Sequence, residues 1–409
     1  MRDPVCYLLT ATGDITQLMI NARAALEAAN AAGMPYIQAM SRVFLCMALA
    51  ESHRHEELLS VSAEARHIVG GTCHAHYEAE LDLIEAYSCF IRADHATGLE
   101  CLRRGLASAS RKKDLLHLVR HDHRILQLLG TEAIQEGIET TYVGQLLSRL
   151  KVNPSDPALE SWPWPVKIYS LGAFNVYLCD KRVEFSRKAP KKPLSLLKAL
   201  IAYGGRNVPE ERLMDALWPD EEADAARKSL DITVLRLRKL LGGNDTIIVS
   251  EETVGFNPQM CWIDAWAFEM RAGEAQTGPD SAPAAEALAL YRGNLLPADV
   301  ERPWTVKMRE RLRAKFVRLI ETVANEEENA GHRDNAIGHY LKGLEADDLV
   351  EAFHLGLMRC YQALGGPAEA ISAYRRLRHT LSVVLGIAPS AVAEKLARDL
   401  QEGSAARPA

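Results

Sequence analysis

The feature that most limits how this chain can fold is internal repetition near both ends, at two different periods. Near the start, Ala25, Ala65 and Gly105 lie forty residues apart, as do Ala29, Val69 and Ala109, with a Met or Leu knob ahead of each set at Met19, Leu59 and Leu99. Near the end, Gly331 and Gly365, Ala336 and Ala370, and Tyr340 and Tyr374 are each thirty-four apart. Small residues at a fixed spacing mark where helices touch. A single helix pair cannot bury its own apolar face, so such units stack into an array. The front segment, rich in Ala and Leu and nearly free of proline to about Leu150, has the helical period throughout.

The middle of the chain breaks this pattern. Asn153 to Pro165 carries four prolines in thirteen residues, too many to continue a helix, and predicts an extended connector with Trp162 and Trp164 packing on neighbouring structure. From Val166 the period switches to alternation (Val166, Ile168, then Phe174, Val176, Leu178), which predicts a small antiparallel sheet. Two helices follow, Pro193 to Tyr203 and Pro209 to Leu217.

A longer helix comes next, from Ala225 to Leu241. Asp220 or Asp224 is placed to cap it, and Gly242-Gly243 ends it. At about 100° per residue, Leu230, Val234, Leu237 and Leu241 fall on one narrow stripe, the side expected to be buried. The other side collects Ala225, Lys228, Ser229, Ile232, Arg236 and Lys239, with Thr233 at its edge. An ordinary solvated face would be charged throughout. A face that enters the major groove needs other chemistry: Arg236 can donate twice to a guanine edge, Thr233 once to a base or phosphate, and Ile232 can meet a thymine methyl. Lys228, Ser229 and Lys239 are placed to hold phosphates, and Arg238 is added to that set.

KSLDITVLRLRKLLG, preceded by LMDALWPDEEADAAR, resembles the recognition helix and preceding loop of the OmpR-type winged helix, in the variety found in antibiotic-regulatory-protein (SARP-like) activators. RKAPKKPLSLLKALIAYGGRNVPEERL is similar to the first two helices of that domain. The family's base-reading positions fall on Ile232, Thr233 and Arg236, the residues the wheel also selects. AYRRLRHTLSVVLGIAPS looks like the close of a bacterial transcriptional activator domain. The front segment resembles the tetratricopeptide-like superhelix of large bacterial signalling regulators. In those an ATPase module precedes the superhelix; no GxxxxGK[ST] occurs here.

Charge has to be read locally. The net charge is −6, and Val166 to Met270 balances fifteen Lys/Arg against fifteen Asp/Glu. Between Lys181 and Arg206, however, eight basic residues face one acidic residue. Within that run Arg187, Lys188, Lys191 and Lys192 are expected to contact phosphates. Where relatives reach the minor groove with a basic hairpin, this chain has SEETVGFNPQM, so the wing is expected to stay off the minor groove. Arg375, Arg376 and Arg378 read as a solvated helix face.

No catalytic motif is present, neither HExxH, GxSxG, CxxC nor a phosphate-binding glycine loop, so no enzyme and no cofactor are expected. His117 and His121 have a helical metal-ligand spacing but lack companions, and no metal site is expected. The eight cysteines show no paired spacing, no apolar run reaches about 18 residues, and the first residues lack a leader layout. A cytoplasmic chain with reduced thiols is expected.

The fold expected is mainly α: tetratricopeptide-like helical repeats flanking a small α+β OmpR-type winged helix-turn-helix domain. Its parts are a solenoid (1–152), a linker (153–165), the winged helix (166–270) and the activator domain (284–402). The function expected is that of a sequence-specific regulator of transcription, an activator binding double-stranded DNA. RNA polymerase and a second copy as homodimer are the expected partners, with a small-molecule or protein ligand for the front solenoid. The alternative is a non-catalytic scaffold whose winged helix docks protein.

Overall fold

The computed structural model describes residues 15–69, 76–112, 123–185, 190–278 and 282–405. The chain divides into two compact units, 1–163 and 164–409.

In the first unit the described residues form α1 (Ile15–Ala32), α2 (Pro35–Glu51), α3 (His55–Val69), α4 (His76–Ile91), α5 (His95–Lys112), α6 (His123–Gln135) and α7 (Thr140–Leu150). α2 packs on both α3 and α4, and α4 on both α5 and α6. The forty-residue repeat relates α1, α3 and α5. Ala29, Ala65 and Ala109 are fully buried, and a Cβ on Gly105 would come within 2.9 Å of Leu83, so the small residue sets the approach of α5 to α4. The knobs differ from expectation by one residue. Leu18 and Leu58 are buried, whereas Leu59 is 40% exposed. A shift of one residue turns a side chain by about 100°, enough to take it out of the seam. The unit also holds polar groups inside: Asp82 and Glu85 of α4 are buried between Arg66 of α3, at 2.9 and 3.0 Å, and Arg104 of α5, at 3.2 Å from Asp82.

The connector is not extended. Asp156 accepts from the Ala158 amide at 2.8 Å and folds the backbone into a turn, and Trp162 and Trp164 are both buried.

The second unit opens with β1 (Val166–Tyr169), β2 (Asn175–Leu178) and β3 (Lys181–Arg182), antiparallel as expected. A fourth strand, β7 (Cys261–Ile263), joins β1 in parallel, so the sheet order is β3-β2-β1-β7. The expected all-antiparallel sheet is thus corrected by a strand contributed from across the domain. Between them come α8 (Lys191–Ala202), β4 (Val208–Pro209), α9 (Glu210–Leu217), α10 (Ala223–Leu240), β5 (Ile247–Ser250) and β6 (Thr253–Phe256), with a second sheet in the order β4-β6-β5.

At the end of β7, Asp264 begins α11 (Asp264–Thr277) and is fully buried. Its carboxylate accepts from the Ser170 hydroxyl at 2.6 Å and from the amides of Ser170 (2.8 Å), Leu171 (2.9 Å) and Ala265 (2.7 Å). Burial pushes this carboxyl up to about 6, against those hydrogen bonds, which favour the anion. The same corner ties the sheet to the rear of the unit. Leu171 pairs with Leu295, the Gly172 amide donates to Asn294 at 3.0 Å, and the Leu296 amide donates to Ser170 at 2.9 Å. Gly172 has φ +80, and a Cβ there would lie 2.4 Å from the Arg292 carbonyl, so only glycine fits. Lys198 of α8 meets Asp299 at 2.6 Å, both largely buried.

The remaining helices are α12 (Ala282–Leu290), α13 (Pro303–Asn329), α14 (Arg333–Ala346), α15 (Glu351–Ala363), α16 (Pro367–Val384) and α17 (Ala391–Ala405). The thirty-four-residue period is realised directly. Gly331 and Gly365 both take positive φ just after a helix, Ala336 and Ala370 are fully buried, and Tyr340 is buried against Phe353. Arg375, Arg376 and Arg378 are exposed.

Candidate nucleic-acid interface

α10 is held by its buried stripe. Leu230, Val234, Leu237 and Leu241 are each at most 4% exposed, joined by Ala226. Full burial of each large aliphatic contributes roughly 1.5–3 kcal/mol, so four of them fix the helix and its rotation. Neither expected aspartate caps it. Glu222 occupies the N-cap without a side-chain hydrogen bond, and Asp224 sits inside the first turn, where its charge still favours the positive helix end. The C-terminus ends as expected: Gly242 takes φ +87, and the Gly243 amide reaches back to the Arg238 carbonyl at 3.0 Å.

The outward face carries Lys228, Ile232, Leu235, Arg236 and Lys239, all exposed. No described residue pairs with the three cations, and Ile232 is 50% exposed. From Lys228 to Lys239 the face runs about 16 Å along the axis, at roughly 1.5 Å per residue. Long cations lie at both ends, a forked donor near the middle, and aliphatic groups between them.

The expected site residues do not all arrive there. Thr233 is buried, and its hydroxyl donates to the Ser229 carbonyl at 2.6 Å. It falls on the packed side of the wheel's edge, with its hydroxyl hydrogen committed to the backbone. Ser229 is half-buried and donates to Glu221 at 3.1 Å. Arg238 points away from the face and gives Nε and Nη2 to the Ile247 carbonyl, at 3.1 and 2.8 Å, joining α10 to β5.

Among the described residues, the basic run from Lys181 to Arg206 divides among different surroundings. Lys191 is exposed at the start of α8, whereas Lys192 donates to the Leu217 carbonyl at 2.5 Å and lies 4.8 Å over the Trp218 ring. Lys198 is paired with Asp299, Arg206 stacks on Trp266, and Lys181 and Arg182 sit on an edge strand. Arg187 and Lys188 lie outside the described residues. Each step along a helix rotates a side chain by about 100°, so neighbouring cations face different surroundings.

Leu235 is absent from the residues expected on sequence grounds. It is 59% exposed, the most exposed large aliphatic on α10. The signal for it is in the wheel, where it stands about 60° from Ile232 and well away from the buried stripe.

The wing is a two-residue hairpin. Glu251 and Glu252 both take positive φ (+45 and +61), a geometry that ordinarily selects Asn-Gly. Glu252 faces Arg227 of α10 at 3.7 Å, and Arg227 also meets the largely buried Glu210 at 3.2 Å. The acidic tip is therefore partly neutralised from within, and it presents no cation to phosphate.

Elsewhere the described residues hold no group of three or more His, Cys, Asp or Glu able to bind a metal, and His117 and His121 lie outside them. In the first unit an apolar gap of about 280 Å³, including space open to solvent, lies between Leu83, Leu106, Leu129, Val143 and Leu147, with no polar group to orient a ligand. The described thiols are free, and burial pushes Cys89 and Cys360 up to about 11 and Cys261 to about 12, which makes them poor nucleophiles. No helix among the described residues is long and apolar enough to cross a membrane.

Comparison with known proteins finds two family matches within the second unit. Residues 187–257, from just ahead of α8 to β6, match the family model "Transcriptional regulatory protein, C terminal". Residues 263–401 match the bacterial transcriptional activator domain. The chain carries both domains. It is 28% identical over 202 residues to Regulatory protein AfsR of Streptomyces griseus, and 28% over 205 residues to that of Streptomyces coelicolor. Each match covers 48% of this chain and 20% of the relative, so the chain matches about a fifth of the length of these proteins. Superposition on Mycobacterium tuberculosis EmbR, solved in complex with a low affinity phosphopeptide, covers 60% of this chain and 66% of that one, at 22% identity and a TM-score of 0.46.

Proposed function

We propose that this chain is a sequence-specific transcriptional regulator, an activator that binds double-stranded DNA by laying α10 in the major groove. One observation carries the reading: Lys228, Ile232, Arg236 and Lys239 share an uncovered face of a helix whose opposite stripe is fully buried. Arg236 reads a guanine edge and Ile232 a thymine methyl, while Lys228, Lys239 and Lys191 hold phosphates and set the register. The two domain matches and the regulatory relatives support the same reading.

The remaining roles follow from this assignment. The rear repeats offer a surface to RNA polymerase and to a second copy, and the front solenoid receives a small-molecule or protein signal, all in the cytoplasm. The functional divisions are 1–152, 153–165, 166–270 and 284–402. With the wing acidic and Val166 to Met270 neutral in sum, a single copy binds DNA weakly, and a pair on repeated half-sites supplies the affinity.

Selection of bound fragments from genomic DNA tests the proposal. An enriched direct repeat or palindrome is the expected result, with affinity that falls steeply as salt rises. Absence of any enriched sequence would refute it. One observation favours a second reading, that the domain docks protein. The edge strand β5 exposes Ile248 and Val249 beside the acidic turn. That reading expects no enriched sequence.

A further inference from the structure

Leu235 is 59% exposed and Ile232 50%, three residues apart on the same side of α10. About 4.5 Å of helix axis separates them at roughly 1.5 Å per residue, so the two side chains form one aliphatic ridge. Lys228 stands one turn before Ile232 and Lys239 one turn after Leu235, with Arg236 alongside. A hydrocarbon ridge bracketed by cations matches a polyanion whose floor offers apolar groups. In the major groove, the only apolar group an unmodified base pair presents is the C5 methyl of thymine. Asp231 flanks Leu235 one turn before it and is also exposed. Its charge keeps phosphate oxygens off that side, which leaves base edges as the neighbour of Leu235.

We propose that Leu235 is a second specificity-determining residue, and that with Ile232 it reads the methyl groups of two thymines beside the base pair contacted by Arg236. The inference rests on the DNA-binding reading above and deepens it. The ridge gives the target site a requirement that hydrogen bonding alone would not impose. Uracil, which pairs and hydrogen-bonds as thymine does, is rejected at two positions.

The full chain is first used to select its DNA, and each thymine of the selected site is then replaced singly by deoxyuridine. Wild type is expected to lose about fourfold in affinity at each of two positions, the worth of one buried methyl. Leu235→Ala is expected to become indifferent at one of them and keep the other, with Ile232→Ala showing the converse. Both changes are on an exposed helix face, where Ala is the better helix former, so folding is retained. Selection of a defined site that tolerates uracil everywhere overturns the inference and leaves the DNA-binding reading standing. A wild-type uracil pattern in Leu235→Ala overturns the inference in the same way. Failure to select any sequence overturns both.

Discussion

Two polar regions of the second unit, one buried and one exposed, differ in whether their groups have partners. Around Asp264 partners have been supplied: four donors meet one carboxylate, Arg309 reaches the Leu295 carbonyl at 3.2 Å, and Lys198 is paired with Asp299. On the outer face of α10, Lys228, Arg236 and Lys239 have no described partner, and aliphatic side chains stand exposed between them. A satisfied buried network holds structure together, because losing one member strands the others. An unsatisfied exposed face adds little to stability and is free to bind. Substitutions at the first surface should therefore change folding, and those at the second should change only recognition.

The largest effect is expected from Asp264→Asn, which sets an NH2 donor against the three backbone donors and the hydroxyl that gather at this side chain. It should destabilise the second unit by about 2–4 kcal/mol in chemical denaturation. The difference from wild type should depend on pH. The folded state raises this carboxyl to about 6 from its ordinary 3.8. Its contribution is therefore fully present below about 3.8 and is lost as the pH rises through 6. The gap between the two proteins should be widest near pH 4 and narrow toward pH 7; a gap that widens instead would mean the four donors outweigh burial.

Gly172→Ala should cost about 1–3 kcal/mol, since its Cβ meets a backbone carbonyl and its φ is positive. An unchanged midpoint would show that the corner joining the sheet to the rear helices is softer than the distances imply. Arg236→Ala should leave that midpoint alone and cost about 1–3 kcal/mol in binding selected DNA, with relaxed preference at one base pair. Equal loss on every sequence would recast Arg236 as a phosphate contact.

The lysines divide the same way. Lys228→Ala should reduce the slope of log affinity against log salt by about one and leave stability untouched. Lys192→Ala removes a donor from the Leu217 carbonyl and should cost about 1 kcal/mol of stability with the salt slope unchanged. Reversal of those two results would erase the distinction between the surfaces. The smallest effect is expected at the wing. Glu251→Asn with Glu252→Gly suits the positive φ of both positions, gives up the Glu252–Arg227 contact, and should stabilise the hairpin by about 0.5 kcal/mol, read as a shift in denaturation midpoint.

Much of this is legible in the order of residues. The buried stripe of α10, its end at Gly242, the spacing of Ala336 and Ala370, and the start of the sheet at Val166 all follow from periodicity and turn chemistry, which are local properties. The exposure of Ile232 and Arg236 is legible because they sit far from the leucine stripe. The burial of Thr233 is not, because it lies near the boundary, where a small rotation decides between solvent and backbone. The basic run from Lys181 to Arg206 reads as one patch only if proximity in sequence stands for proximity in space.

The sequence by itself determined the mainly helical architecture, the long helix α10 and its rotation, because these depend on patterns within one helix. Only the tertiary structure decided which cations remained free. Lys192, Lys198, Arg206 and Arg238 each found a carbonyl, a carboxylate or a ring on an element distant in the chain or across a turn. Among the described residues, Lys228, Arg236 and Lys239 found none. Partnership of a long side chain is set by whatever packs within its reach, and no local pattern encodes that.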